Sequence, residues 1–201
     1  MKIVIDTETT GLDPQNDELL QVSIIDTDGT VLFDSMFRPE KHEKWEAAEM
    51  VNGINPEMVK DASSISDKKD EISTIIQKSG TVIGYNTSFD ISFLVESGIS
   101  FPDTFEVVDV MRDFAPIYGQ WSNEKQDFKW QKLTKAAEYY GYDWGSHPEG
   151  AHNSLGDCFA TLHVYNGIKE QELAAQKKAR ESGTTDREIS KRKYSKVKKS
   201  R

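Results

Sequence analysis

The chain has 201 residues, of which 36% are hydrophobic and 29% are charged, as is typical of a globular protein with a sizeable core. No apolar stretch approaches the ~20 residues that a transmembrane helix needs, and the beginning MKIVIDTE is too short and too acidic for a secretory signal. The single cysteine, Cys158, excludes an internal disulfide and fits a reducing compartment. We therefore expect a cytoplasmic protein that has no membrane partner.

Charge is divided unevenly along the chain, whose net charge is −9. Residues 171–201 hold 11 Lys and Arg against 4 Asp and Glu, whereas residues 1–170 hold 14 against 30. Such a basic tail either contacts a polyanion, such as nucleic acid, or serves only as a solubilising end. The acidic body argues against a broad phosphate-binding surface, so a nucleic-acid substrate would need metal ions that offset the charge locally.

The first 40 residues are typical of β-structure. Three segments rich in Val, Ile and Phe follow one another: KIVID (2–6), LLQVSIIDT (19–27) and TVLFDSMF (30–37). The Asp28-Gly29 pair between the last two is a hairpin signal. These patterns predict a three-stranded antiparallel meander.

Helices and strands alternate in the rest of the chain, which indicates a mixed sheet with helices packed against it. We predict helices at 43–53, 55–61, 66–80, 88–98, 129–141 and 154–168, short buried strands at 81–85 and 105–110, and loops at 118–128 and 142–153. Residues 169–183 could extend the last helix, and residues 184–201 have few apolar side chains. The expected organisation is one domain over 1–168 and a basic, partly disordered helix and tail over 169–201.

Four acidic residues stand where predicted strands end or predicted helices begin: Asp6, Glu8, Asp90 and Asp157. Alternate residues of a strand share one face, so Asp6 and Glu8 point the same way. In open sheets with helices such ends converge on one crevice, where four carboxylates repel one another unless cations lie between them. Hard oxygen ligands suit Mg²⁺ or Mn²⁺, and two such ions ~4 Å apart can clamp a phosphodiester.

Each acid also has a purely structural interpretation, because a strand end can simply be solvated. Asp90 could be a first-turn acid that the helix dipole favours. Asp157 could form a capping box with Ser154, and His152 could be an ordinary loop histidine. Asp109, at another strand end, is expected to have a supporting or structural role.

Three short motifs together resemble those of a known enzyme family. DTET at 6–9, NTSFD at 86–90 and HNSLGD at 152–157 are similar, in order and spacing, to the motifs of the DEDDh 3′–5′ exonucleases. This DnaQ-like family includes the proofreading subunit of bacterial replicative polymerases. The resemblance covers about residues 1–168. It extends to VNGINPEMV, where the family commonly has His in place of Asn52, and Asn153 stands where a sister group has Tyr, which favours the histidine form.

The resemblance implies an α/β, ribonuclease H-like fold with a five-stranded mixed sheet flanked by helices. It implies that Asp6, Glu8, Asp90 and Asp157 hold two divalent metal ions, Mg²⁺ or Mn²⁺, and that His152 is the general base. A histidine, whose unperturbed pKa is ~6.5, can accept the proton that water loses as it attacks phosphorus near neutral pH.

The resemblance also implies contacts with the terminal nucleotide. Backbone and hydroxyl groups are expected from Thr7, Thr9, Thr10 and Gly11, a wedge beside the last base from Leu12, and parts of the site wall from Asn86 and Phe89. Phe89 could instead belong to the core. His147 is a second candidate base that lacks an acid five residues later, and Cys158 is expected to be a packed helix residue.

Several functions stay open at this point. The first is hydrolysis from the 3′ end of single-stranded DNA, and the second is the same chemistry on RNA or short oligonucleotides. The third is a nucleic-acid-binding or polymerase-associated module with little catalysis, in which the tail could dock a DNA polymerase subunit. The fourth is a glycosidase that uses Asp6 and Glu8, although glycosidase carboxylates stand ~5–9 Å apart on either side of a sugar. A chelator would silence a nuclease but not a glycosidase.

Overall fold

The computed structural model describes residues 1–146 and 150–181. The chain divides into two compact units, Met1–Val164 and Tyr165–Arg201. The predicted basic tail beyond residue 181 and the alternative base His147 lie outside the described residues.

Five strands form the main sheet, in the order β3-β2-β1-β4-β5. They are β1 Lys2–Thr9, β2 Leu19–Asp26, β3 Val31–Met36, β4 Thr81–Gly84 and β5 Glu106–Asp109. The first three pair antiparallel, whereas β4 runs parallel to both β1 and β5. This mixed sheet is the one that the sequence predicts, and it confirms the antiparallel meander at its start.

The described residues also form helices, several of which flank this sheet. The helices are α1 Glu46–Asn52, α2 Pro56–Val59, α3 Lys69–Gln77, α4 Thr87–Glu96, α5 Val110–Tyr118, α6 Leu133–Tyr139 and α7 Ser154–Glu181. Most match predicted helices, and α7 extends the last of them to Glu181. None of the helices within 1–146 and 150–181 combines the length and hydropathy that crossing a bilayer requires.

The hairpin between β2 and β3 forms where the Asp-Gly signal predicts it. Gly29 has a φ of 85°, a left-handed conformation that glycine adopts without steric cost. The carboxylate of Asp26 accepts the N–H groups of Asp28 and Thr30, at 2.9 and 2.8 Å. These bonds close the turn and fix the register of β2 against β3.

The two faces of β1 bury different partners. Ile3 and Ile5 belong to a core cluster that includes Phe93 and Leu94 of α4. Each such buried side chain contributes ~1.5–3 kcal/mol of hydrophobic stabilisation. On the other side, the thiol of Cys158 in α7 is buried against the backbone oxygens of β1 and β2, as expected for a packed helix residue.

The structure corrects the prediction in the segment 105–141. Strand β5 is an edge strand that pairs only with β4, so it is partly exposed rather than buried, and 48% of Val107 is accessible. Helix α5 follows it at once and was not predicted. The predicted loop 118–128 contains a small hairpin of β6 Trp121–Ser122 and β7 Asp127–Phe128. The helix predicted from residue 129 begins only at Leu133, because residues 129–132 complete that hairpin.

Candidate active site

Strand β1 runs beyond its parallel neighbour. The last pair between β1 and β4 is Val4 with Ile83, whereas β1 continues to Thr9 along β2. Asp6 and Glu8 therefore stand past the end of β4, on the same face of the strand. Helix α4 begins beyond the end of β4, so the difference in length between β1 and β4 leaves the crevice that the sequence predicts.

Three carboxylates meet on one side of this crevice. Oxygen atoms of Asp6, Glu8 and Asp157 all lie within 4.8 Å of one another. Asp157 comes from the first turn of α7. Asp90 comes from the first turn of α4 and is only 3% exposed. The structure thus brings the four predicted acids together from three elements, with Asp90 beside the trio rather than within it.

Burial and mutual repulsion make this cluster costly to ionise. The pKa of Asp6 is raised well above its ordinary value, first by burial and then by the neighbouring carboxylates. The same causes raise the pKa of Glu8 to about 8. Burial raises the pKa of Asp90 to about 7 and that of Asp157 to about 6, although hydrogen bonds to Asp90 and the proximity of His152 to Asp157 act in the opposite direction.

These residues fit divalent metal ions. A cation among the oxygens of Asp6, Glu8 and Asp157 would replace their repulsion by attraction and would favour the ionised form of each. All the offered ligands are carboxylate oxygens, the donor type that Mg²⁺ and Mn²⁺ prefer. Asp90 is close enough to raise the pKa of both Asp6 and Glu8, which fits a fourth carboxylate shared by a two-ion arrangement.

His152 lies at the rim of the cluster. It is exposed and has a φ of 60°, which is uncommon for a residue with a side chain. Its backbone N–H points to Asp157 Oδ1 at 3.4 Å. The side chain of Asn153 accepts the N–H groups of Leu155 and Gly156 at 3.1 and 3.4 Å, and so caps α7 just after this turn. His152 is therefore held beside the carboxylates while its ring faces solvent.

The capping box considered as the structural alternative for Asp157 does not form. Ser154 lies inside the helix, and its hydroxyl contacts that of Ser23 at 2.5 Å instead of capping. The cap is Asn153, which leaves the carboxylate of Asp157 directed to the cluster. The structural interpretation of Asp157 is thereby removed.

Asp90 is fixed by Thr7. The hydroxyl of Thr7 donates to Asp90 Oδ1 at 2.8 Å, across the crevice between β1 and α4. The neighbouring Asn86 has a φ of 69°, and its N–H donates to Asp109 Oδ1 at 3.1 Å. Asp109 also accepts the N–H of Met111 and caps α5, so it has the structural role that the sequence predicts.

The turn after β1 uses its hydroxyl groups internally. Thr9 Oγ1 donates to Gly11 O at 2.5 Å, and Thr10 Oγ1 accepts the N–H of Glu18 at 2.9 Å. The hydroxyl groups of all three threonines are thus engaged within the protein, because that of Thr7 also has a partner, and their contacts with a nucleotide stay predictions. Leu12 at the tip is 84% exposed, as a wedge beside a base requires.

The turn is kept tight by an acid behind it. A Cβ added to Gly11 would come within 2.2 Å of Asp17 Oδ2, so a side chain at this position would displace that carboxylate. The same oxygen accepts the N–H of Asp13 at 2.9 Å, which holds the turn that carries Leu12. Gly11 thus has a packing role, and its contact with a nucleotide stays a prediction.

Phe89 and Asn52 both have partners within the protein. The ring of Phe89 packs against that of Phe93, with centroids 4.8 Å apart, and is partly buried against the core, while its place in the site wall stays a prediction. Asn52 donates to Thr9 O at 3.2 Å, and its hydrogen bond with Glu8 lowers the pKa of that carboxyl against the larger effect of burial. The sequence marked Asn52 only as a departure from the family pattern.

A buried polar network behind the carboxylates was also missed. Gln21 Nε2 and the hydroxyl of Ser23 both donate to Asp34 Oδ1, at 3.0 and 2.8 Å. Gln21 Oε1 accepts the N–H of Ser154 at 3.3 Å. Gln21 pairs with Glu8 and Ser23 pairs with Asp6 in the sheet. Polar side chains at alternate positions of the apolar segment LLQVSIID were the signal that could have found it.

Residues 3–165 match the model of a protein family described as "Exonuclease". The chain belongs to this exonuclease family. The resemblance to the DnaQ-like exonucleases is thereby confirmed, the protein is a nuclease that hydrolyses nucleic acid, and the glycosidase alternative is removed.

The relatives of this exonuclease include a phage exonuclease and components of DNA polymerases. An uncharacterized exonuclease of Escherichia phage 186 is 29% identical over 177 residues, which are 83% of this chain and 87% of that protein. DNA polymerase III subunit epsilon of Rickettsia conorii is 35% identical over 98 residues, which are 46% of this chain and 42% of the subunit. A PolC-type DNA polymerase III of Thermotoga maritima is 30% identical over 95 residues, 46% of this chain but only 7% of the polymerase.

Solved structures confirm the ribonuclease H-like fold of the exonuclease. Exonuclease X in complex with duplex DNA that has a 5′ overhang superimposes with a TM-score of 0.63 at 20% identity, over 85% of this chain and 92% of that one. The zinc-bound complex of E. coli exonuclease I with single-stranded DNA superimposes with a TM-score of 0.67 at 18% identity, over 85% of this chain and 40% of that one.

Proposed function

We propose that this exonuclease removes nucleotides from the 3′ end of single-stranded DNA by a two-metal mechanism, with His152 as general base. The observation that carries the proposal is the convergence of the half-buried Asp6, Glu8 and Asp157 within 4.8 Å, with the buried Asp90 beside them. Such a cluster is unfavourable in a metal-free protein and useful in an enzyme that binds divalent cations.

The residues divide the chemistry among themselves. The four carboxylates would hold two divalent cations, which when bound supply Lewis acidity toward the attacking and departing oxygens. His152, at the rim beside Asp157, accepts the proton of the attacking water and releases it to solvent. Leu12 separates the last base from its neighbour, and backbone groups of Thr9 and Thr10 orient the terminal nucleotide. The 3′ end is thereby placed over the carboxylates.

The relatives of this chain favour DNA over RNA as the substrate. Two solved neighbours are complexes with DNA, and two groups of relatives are DNA polymerase components. On the same grounds we propose a DNA polymerase subunit as a partner. We place the enzyme in the cytoplasm, where the buried thiol of Cys158 stays reduced.

The test of this function compares DNA and RNA of one sequence. Each strand, labelled at its 5′ end, is incubated with the purified protein in Mg²⁺, Mn²⁺ or EDTA. The expected result is a ladder that shortens from the 3′ end of DNA with either metal and is absent with EDTA. A ladder on RNA alone would move the function to RNA turnover, and activity in EDTA would contradict the metal mechanism.

Replacement of the acids tests the site itself. Asp6→Ala and Asp157→Ala should each abolish cleavage, because each removes a ligand from the shared set, while the exposed Asp61→Ala serves as a matched control. Steady-state rates on single-stranded DNA measure the effect, and isothermal titration with Mn²⁺ should show weakened binding in parallel. A nearly normal rate in either active-site variant would rule out the assignment.

A further inference from the structure

An exposed indole outside the carboxylate cluster has two cations near its ring. Trp130 is 54% exposed. Arg112 Cζ and Lys125 Nζ each lie 5.9 Å from the centroid of its ring, within the range of cation–π attraction. We call these three residues the Trp130 patch. An accessible aromatic ring with flanking cations is the kind of surface on which single-stranded nucleic acid stacks.

The patch lies at the same end of the sheet as the active site. Tyr85 follows β4 and precedes Asn86, and its hydroxyl donates to Gln131 O at 2.8 Å. Arg112 stands in the first turn of α5, directly after β5 and close to Asp109, whose carboxylate accepts the N–H of Asn86. Both supports of the patch thus start from the carboxyl ends of β4 and β5, where the NTSFD motif also begins.

Hydrogen bonds of Lys129 and Gln131 order the chain on both sides of Trp130. Gln131, which is 8% exposed, donates through its side-chain amide to Gln120 Oε1 at 3.2 Å and to Lys129 O at 2.9 Å. The N–H of Lys129 donates to Gln120 O at 2.7 Å, which closes the small hairpin below Trp130. A ligand that binds here would not have to order the backbone first, which favours affinity.

The charge of the segment around Trp130 indicates which ligand fits the patch. Residues 118–135 hold four Lys against two acids, Glu124 and Asp127, within a region 1–170 that has 30 acids against 14 cations. A locally cationic, aromatic surface on an acidic body is complementary to a ligand that is both anionic and aromatic. Single-stranded nucleic acid combines phosphates with bases in one chain and fits both requirements.

We infer that the Trp130 patch binds the substrate strand upstream of the 3′-terminal nucleotide. A base stacks against the indole of Trp130, and Arg112 and Lys125 contact the adjoining phosphates. The assignment rests on the proposed function, since it takes the strand to enter the active site by its 3′ end. The patch thereby provides a second binding contact for the strand, away from the bond that is cleaved.

Two substrates separate the patch from the active site. A 20-nucleotide DNA strand reaches both, whereas the p-nitrophenyl ester of thymidine 5′-monophosphate offers one phosphodiester and no upstream strand. For Trp130→Ala, the ratio of kcat/KM for the strand to that for the ester should fall about 5- to 20-fold, toward the lower part of the stacking range. The fall should lie in KM, and Trp130→Phe, which keeps a π-face, should restore most of the ratio.

Salt dependence tests the cations. Arg112→Ala and Lys125→Ala should each lower the slope of log KM for the strand against log salt by about 0.7, the value for one phosphate contact on single strands. Lys44→Ala, an exposed cation on the segment before α1, is the matched control. A slope equal to that of the wild type in both variants would overturn the phosphate contacts.

The measurements distinguish a wrong assignment of the Trp130 patch from a wrong proposed function. If wild type and Trp130→Ala have equal ratios, the patch does not bind the strand, and a protein partner becomes its better occupant. If the wild type cleaves neither substrate, the proposed function fails. In that case fluorescence anisotropy of the labelled strand still decides the patch, because Trp130→Ala should bind it about 5- to 20-fold more weakly and equal binding would contradict the inference.

Discussion

Glu8 shows how the carboxylate cluster affects the metal-free protein. Burial, with repulsion from Asp157 and Asp90, raises its pKa to about 8. A carboxyl whose pKa is higher in the folded than in the unfolded state binds its proton more tightly when folded. Its stabilising effect is therefore present at low pH and is lost as the pH rises through the folded pKa.

The metal-free protein should accordingly become less stable as the pH rises from about 5 to 8. The raised pKa values of Glu8, Asp90 and Asp157 all fall in this window. Hydrogen bonds to the carboxylate of Glu18 outweigh the effect of its burial and lower its pKa. The stability that depends on Glu18 therefore changes only at a pH below the ordinary pKa of a glutamate, outside this window. In EDTA, the melting temperature should fall by about 2–4 °C for each kcal/mol of unfolding free energy lost in a protein of this size.

Two comparisons make this pH dependence specific. Glu8→Gln cannot ionise, so its melting temperature in EDTA should fall less between pH 5 and 8. Added Mn²⁺ should stabilise the wild type more at pH 8 than at pH 5, because protons compete less with the metal for the carboxylates. Parallel melting curves for the two proteins across the whole range would show that Glu8 keeps an ordinary pKa.

The two loop histidines give a second test at the scale of single residues. His152→Ala should lower kcat about 10²- to 10⁴-fold, the usual contribution of a general base. His147→Ala is the matched comparison and should retain nearly the wild-type rate. If His147→Ala were the damaging change, the motif would have been placed on the wrong histidine.

Single residues were predictable from the sequence where a backbone rule fixes their direction. The alternation of a strand sufficed to place Asp6 and Glu8 on one face. Hydroxyl groups follow no such rule, because a rotating side chain bonds whatever the fold brings near it. The hydroxyl of Thr7 thus reaches Asp90, 83 residues away in the chain. The contact of Asn52 with Glu8 was hidden for the same reason.

At the scale of elements, α7 is oriented by the polar network below its first turn. Asp34 accepts from Gln21 and Ser23, while Gln21 also accepts the N–H of Ser154. These bonds join β2 and β3 to the turn of α7 that carries Asp157. An apolar contact would hold the helix on the sheet without fixing its rotation, whereas directed hydrogen bonds fix both.

Gln21→Leu should therefore impair both stability and metal binding. The N–H of Ser154 would have no acceptor, and a buried unpaired group costs about 1–3 kcal/mol. Since Asp157 would be less well oriented, affinity for Mn²⁺ should fall about 10-fold, as when supports behind metal ligands are removed. Gln77→Leu, on the exposed end of α3, is the control. A lower melting temperature with undiminished Mn²⁺ affinity would limit the network to a structural role.

Elements were predictable where turn residues mark the ends of an apolar or amphipathic segment. The meander and the helices up to α4 satisfy this condition, and so does α7. In the segment 105–141, β5 runs directly into α5 without a turn, and Pro116 in the interior of α5 argues against a helix although its apolar positions share one face. The small hairpin of this segment depends on the aromatic contact of Trp121 with Phe128, 5.2 Å between centroids, rather than on alternation. Such side-chain pairs are invisible to a pattern read along the chain.

At the scale of the whole molecule, the two parts of the chain have net charges of opposite sign. The region 1–170 has a net charge of −16 and concentrates carboxylates in its crevice, where divalent cations would neutralise them. Residues 171–201 have a net charge of +7. Since an acidic surface repels phosphates at a distance, a basic segment on the same chain can raise the rate at which DNA is captured.

Removal of residues 182–201 should accordingly weaken DNA binding in a salt-dependent way. These residues hold eight Lys and Arg against two acids, and every phosphate that the shortened chain no longer binds should lower the salt slope by about 0.7 on single strands. Binding of a labelled strand is measured by anisotropy between about 25 and 300 mM salt, because the screening length shrinks from roughly 20–30 Å to below ~10 Å over this range. The truncated chain should bind less tightly at low salt and equally at high salt, with the ester hydrolysed at the full rate. Identical affinities at every salt concentration would leave the tail only a solubilising role, because a phosphate-binding segment must respond to screening.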